Sequence, residues 1–225
     1  MHFVLVGNSH SFLFNSIPNI HFITKFGASI RGLIKNNSST NLKISVIDSL
    51  NQYKDSTYIF YLGQCDIEYG YYYNCVINNS KLNIEIYMDN LINDYNTFLK
   101  SIPNNIIIMG INPCVIRDTE FSFNVCFNDT NFERNKDNKN TYNYNDCKCF
   151  FNESIQIRNN NHKIFNEKLK KMCVQNNYKY MDLFNIVCDE NNNVLSEYYP
   201  DTEKDCHLKN NNKIIMYLQN FLNNY

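Results

Sequence analysis

Short runs of apolar residues, most of them closed by glycine or proline, constrain this chain more than any other feature. FVLV (3–6) stops at Gly7, IHFITKF (20–26) at Gly27, TYIFYL (57–62) at Gly63, and NIIIMGI (105–111) at Asn112-Pro113. LKISVI (42–47) and YMDL (180–183) read as two further strands. Runs of this length, apolar without a break, suit strands covered on both faces, as in a parallel sheet. Between and after them the period changes. Ile86, Leu91, Tyr95, Phe98 and Leu99 recur near one face of a helix over 82–99. Ile164, Phe165, Leu169, Met172 and Cys173 do the same over 163–176, and Ile214, Ile215, Leu218, Phe221 and Leu222 in a C-terminal helix. Strands alternating with helices predict a three-layer α/β/α sandwich around a mainly parallel five-stranded sheet, built as one domain.

Residues 118–160 interrupt this rhythm. They are rich in Asn, Asp, Lys and aromatic residues, among them Phe121, Phe127, Tyr142, Phe150 and Phe151. A connection this long has a use or lacks order. The aromatics predict a cap or hairpin packed over the sheet edge, with a surface loop as the other reading.

Composition excludes several function classes. A net charge of -1 provides no field to attract nucleic acid or anionic membrane, so neither is expected as a partner. The opening MHFVLVG has no basic n-region or long apolar stretch, which predicts a cytoplasmic protein with reduced thiols despite nine Cys. Cys147 and Cys149 lie near His162 in sequence, but CxC lacks the usual spacer of zinc sites, and no metal is expected. The 42 Asn, against a single Ala (Ala28), follow the codon bias of an AT-rich genome such as that of a parasite or large virus.

In an open parallel sheet, ligands collect at the carboxyl ends of the strands. Four loops there carry reactive side chains: 7–10, 27–33, 63–70 and 201–208. A serine following the first strand would start a helix, where free amides and the helix dipole favour an oxyanion. A histidine late in the chain would activate it.

In their order, these segments resemble the blocks of the SGNH, or GDSL-like, hydrolase superfamily. FVLVGNSHS (3–11) is similar to the block bearing the nucleophile, which implies Ser9 in that role. GASIRGL (27–33) resembles the second block and implies the Gly32 amide as an oxyanion donor beside that of Ser9. FYLGQCDIEYGYYY (60–73) resembles the third, whose Gly-x-Asn-Asp reads Gly63-Gln64-Cys65-Asp66 here. Cys65 is a poor donor in the Asn position, so Gln64 is expected to supply the amide. DCHL (205–208) resembles the last block and implies His207 as base. The family's acid position holds Lys204, leaving Asp205 as the nearest carboxylate, with Asp201 and Glu203 as alternatives. His10, Arg31 and Asp66 are expected to touch substrate.

The resemblance implies a serine esterase acting on a small acyl ester, an O-acetyl group on a carbohydrate or glycan, with no cofactor. An O-acetyltransferase using the same site, or an inactive module binding a glycan or protein, are the other readings. Their motive is the altered third and last blocks.

Overall fold

The computed structural model describes residues 2–121 and 150–225. Five strands, β1 (Phe3–Gly7), β2 (Ile20–Thr24), β3 (Thr57–Tyr61), β4 (Ile106–Met109) and β5 (Lys179–Met181), form one sheet in the order β2-β1-β3-β4-β5. Every neighbouring pair is parallel. The α/β sandwich expected from the apolar runs is therefore formed.

Successive strand residues point to opposite faces, and the core divides accordingly. Val4, Val6, Tyr58, Phe60, Ile106 and Ile108 belong to one buried cluster; Phe3, Leu5, Ile59, Tyr61, Ile107 and Met109 belong to the other. The first is covered by α1 (Ile30–Ile34), α2 (Leu42–Gln52), α3 (Tyr71–Ile77), α4 (Ile84–Leu99) and α5 (Ile155–Asn176). The second is covered by a 3-10 turn (Ser9–Phe14), α6 (Phe184–Val187) and α7 (Asn212–Asn223). None of the helices among the described residues is long and apolar enough to cross a membrane.

Three expectations are corrected. Residues 42–47 are helical, the start of α2. Their alternation imitates a strand, but Leu42, Val46 and Ser49 are the buried positions, at helical spacing, while Ile44 and Ile47 are exposed. In α4, Ile86 points outward, and the buried stripe runs instead through Tyr87, Met88, Leu91, Ile92 and Tyr95. Helix α5 begins at Ile155, eight residues before the predicted start.

That early start was hidden by polarity. Arg158, His162 and Asn166 are buried on one face of α5, with Asn159 beside them. They clasp the extended segment after β4, which beyond Gly110 pairs with no strand among the described residues. Asn166 bonds both the N–H and the C=O of Ile111 (2.8 Å each), His162 Nδ1 meets the Asn112 carbonyl (2.7 Å), and Asn159 Oδ1 accepts from the Cys114 N–H (2.6 Å). Arg158 donates to the Ile116 carbonyl (2.8 Å). Buried backbone groups without a ladder partner are costly, and here side chains replace the missing strand.

The predicted cap or hairpin falls mostly on residues 122–149, outside the described residues. Flanking them, Phe121 and Phe151 are buried against Tyr72, with ring centroids 5.0 and 5.5 Å away. Asparagine also has local uses. All five non-glycine residues with positive φ among the described residues are Asn, the residue that best tolerates left-handed backbone after glycine.

Candidate active site

The sheet order places β2 on one side of β1 and β3 on the other, so the connections diverge above the carboxyl ends of β1 and β3. A crevice opens at such a switch point. Ser9 stands there. Asn8 caps the 3-10 turn by accepting from the His10 N–H (3.0 Å), and its amide reaches the Ala28 carbonyl (3.4 Å) and Cys65 Sγ (3.5 Å). This holds the turn against the second and third loops and puts Ser9 at its first position, where backbone amides have no acceptor within the helix.

His207 approaches from the loop before α7. Its Nε2 lies 2.7 Å from Ser9 Oγ, and its Nδ1 lies 2.6 Å from Asp205 Oδ1. The same carboxylate oxygen accepts the His207 backbone N–H at 2.9 Å, so the three-residue turn Asp205-Cys206-His207 sets both the loop and the ring. An ionised carboxylate only accepts, so the ring proton sits on Nδ1 and Nε2 is left to accept from the serine hydroxyl. Asp201 and Glu203, the alternative acids, instead pair with Lys209 and Arg117.

A pocket of about 180 Å³ opens beside these groups. Phe12, Leu13 and Leu208 form its apolar wall; His10, Asn112 and Asn210 are polar. His10 is buried, its ring 4.6 Å from that of His207. Burial, with the neighbouring His207 and His162 rings, lowers its pKa to about 3 and keeps it neutral.

The ligand atoms of His10, Cys206 and His207 lie within 4.8 Å of one another, a spacing open to a metal ion. Both His207 nitrogens are already engaged by Ser9 and Asp205, so coordination there would break one of these two contacts. Cys147 and Cys149 lie outside the described residues. His162 is bonded to the Asn112 carbonyl, and burial lowers its pKa to about 4.

No protein-family model matches the sequence, and no curated protein matches it significantly. Solved structures do. A protein described as an acylhydrolase, from Bacteroides fragilis, superposes with a TM-score of 0.55 over 99% of this chain and 85% of its own, at 12% identity. A lipolytic protein of the G-D-S-L family from Desulfitobacterium hafniense gives 0.51 over 97% and 98%, also at 12% identity. The chain has the SGNH hydrolase fold.

Within this SGNH fold, four of the expected site residues are used elsewhere. The Gly32 amide donates to Ser29 Oγ (2.9 Å), which caps α1, so it does not stand free for an oxyanion. Asp66 is buried and accepts from the Ile30 and Arg31 amides (2.7 and 3.2 Å), which ties the third block to the second. Burial outweighs those two bonds and raises its pKa to about 6. The Arg31 guanidinium lies over the Tyr87 ring, 4.7 Å from its centroid, and does not line the pocket. Gln64 is buried; its Oε1 accepts from the Asn112 N–H (2.9 Å), and its Nε2, the atom expected to donate, is turned to Glu68. It positions the segment after β4 and is absent from the pocket wall.

Asn112, which lines the pocket, belongs to none of the four blocks: it lies three residues beyond the end of β4, where the sequence carries no motif that singles it out.

Proposed function

We propose that this chain is a serine ester hydrolase acting on small acyl esters. The 2.7 Å contact of Ser9 Oγ with His207 Nε2 carries the reading, because a serine needs a base within hydrogen-bond reach to become a nucleophile. Ser9 Oγ attacks the acyl carbonyl as its proton passes to Nε2. Asp205 holds the Nδ1 proton and stabilises the imidazolium that forms. The Ser9 amide, at the start of its turn, donates to the tetrahedral oxyanion. Collapse expels the alcohol, which takes the proton from His207. Water then attacks the acyl-serine with His207 again as base, freeing the acid. Every step draws on protein groups and water.

The pocket volume favours a short acyl group, and an O-acetyl ester of a carbohydrate is the substrate class we assign from the resemblance of the blocks. Turnover of p-nitrophenyl acetate should fall by roughly a thousandfold or more in both Ser9→Ala and His207→Ala. A fluorophosphonate probe should label Ser9. Unchanged turnover in both variants would remove this reading.

A further inference from the structure

Cys206 has no part in the mechanism above, yet it stands against the catalytic histidine. Its Sγ lies 3.8 Å from His207 Nδ1. One ring nitrogen of His10, Cys206 Sγ and one ring nitrogen of His207 all lie within 4.8 Å of one another. The three come from distant parts of the chain: His10 from the turn after β1, Cys206 and His207 from the loop before α7. His10 and His207 line the pocket, so the cluster borders a route by which a small ion enters.

Two imidazoles and a thiolate suit a borderline-soft cation. Zn²⁺ takes nitrogen and sulfur ligands in a tetrahedron, with bonds of about 2.0 Å to His and about 2.3 Å to Cys. Such bonds set a nitrogen and a sulfur about 3.6 Å apart, and two nitrogens about 3.4 Å apart. The 3.8 Å between Sγ and Nδ1 is already near that span. The loop bearing Cys206 and His207 is held largely by its own turn and can supply the remaining movement. Mg²⁺ and Ca²⁺, which demand oxygen ligands, are not served by this set.

The ion and the serine compete for one ring. A neutral imidazole has a single nitrogen free to accept. A metal at Nε2 takes the lone pair that would receive the Ser9 proton. A metal at Nδ1, the nitrogen beside Sγ, displaces Asp205 and forces the ring proton onto Nε2. Either way the base is lost.

We propose that His10, Cys206 and His207 form an inhibitory site for Zn²⁺, which silences Ser9 by capturing its base. Naming the effect as inhibition rests on the ester-hydrolase reading above; binding of the ion does not. Burial raises the Cys206 pKa to about 12, so the ion must expel the thiol proton to solvent as it binds.

The test adds metal alone to the full chain. Micromolar Zn²⁺ should abolish p-nitrophenyl acetate turnover, millimolar Mg²⁺ should not, and a chelator should restore it. Cys206→Ala should raise the Zn²⁺ concentration for half-inhibition by about tenfold or more, since even supporting contacts of a metal site are worth that much. Inhibition that is absent, or unchanged in Cys206→Ala, overturns the inhibitory role. A second readout needs no turnover. Co²⁺, which accepts the same ligand types, should give a thiolate-to-cobalt charge-transfer band that Cys206→Ala removes and His10→Gln weakens. A band that is absent, or the same in Cys206→Ala, overturns the site. A Cys206-dependent band in a chain that hydrolyses no ester would leave the site standing and remove the esterase reading. Ser9-dependent turnover without such a band would do the reverse.

Discussion

Two extended connections deliver the walls of the site, and they are held in opposite ways. Residues 110–117, after β4, are clasped by buried side chains from α5 and by Gln64, partners remote in sequence. The loop that carries His207 is held largely by itself: Asp205 bonds the His207 ring and backbone, Asp205 N–H reaches the Thr202 carbonyl, and Lys209 N–H reaches the Tyr198 carbonyl. Its two key side chains remain 37% and 43% exposed. The pocket wall is thus a tertiary construction, whereas His207 is set by a turn of three residues. A substitution on the α5 side should therefore be felt as lost stability, and one in the histidine loop as lost activity.

The most direct way to break this contrast is Asn166→Leu. It strips partners from both the N–H and the C=O of buried Ile111. We expect a loss of about 3–5 kcal/mol in urea unfolding. A loss under about 1 kcal/mol would mean that the clasp is not what holds the wall. Asp205→Ala probes the other region. Turnover should fall on the order of a hundredfold, about 3 kcal/mol in transition-state stabilisation, with the urea midpoint almost unmoved. A comparable loss of stability would erase the distinction.

The smallest expected effect sharpens the picture on the α5 side. Glu68 is buried, and burial outweighs the opposing influence of Gln64, Cys114 and Arg158 and raises its pKa to about 7. The folded state therefore holds a proton that the unfolded state, with a pKa near 4.5, releases. This contribution to stability is fully present below pH 4.5 and is lost as pH rises through 7. The buried His10 and His162, lowered to about 3 and about 4, act oppositely: their contribution is present above pH 6.5 and is lost as pH falls through those values. Glu68→Gln should raise the melting temperature at pH 8 more than at pH 5, by an amount worth about 2 kcal/mol. Equal changes at the two pH values would show that Glu68 does not titrate as its burial implies.

The apolar runs and their glycine stops made the sheet legible, because burial on both faces leaves its trace in consecutive residues. Gly63 shows how strict such a stop is: its φ is +113°, and a Cβ there would come within 2.6 Å of the Phe165 ring. The alternation at 42–47 misled because a six-residue pattern is too short to separate period 2 from period 3.6, and packing against the sheet chose the helix. The start of α5 was illegible for a different reason. Its buried face is Arg, Asn and His, residues that ordinarily signal solvent.

By itself the sequence determined the alternation of strand and helix, the serine after the first strand, and the Asp-x-His turn before the last helix. These depend on neighbours in the chain, so local chemistry sufficed. Only the tertiary structure decided which polar groups face the pocket. It turned the Gly32 amide to Ser29, the Asp66 carboxylate to α1 and the Gln64 amide oxygen to the Asn112 backbone, and it set the Asn112 side chain against the Tyr61 hydroxyl. A hydrogen-bonding group takes whichever partner folding brings within about 3 Å, and for the first three of these residues that partner lies three to forty-eight positions away along the chain.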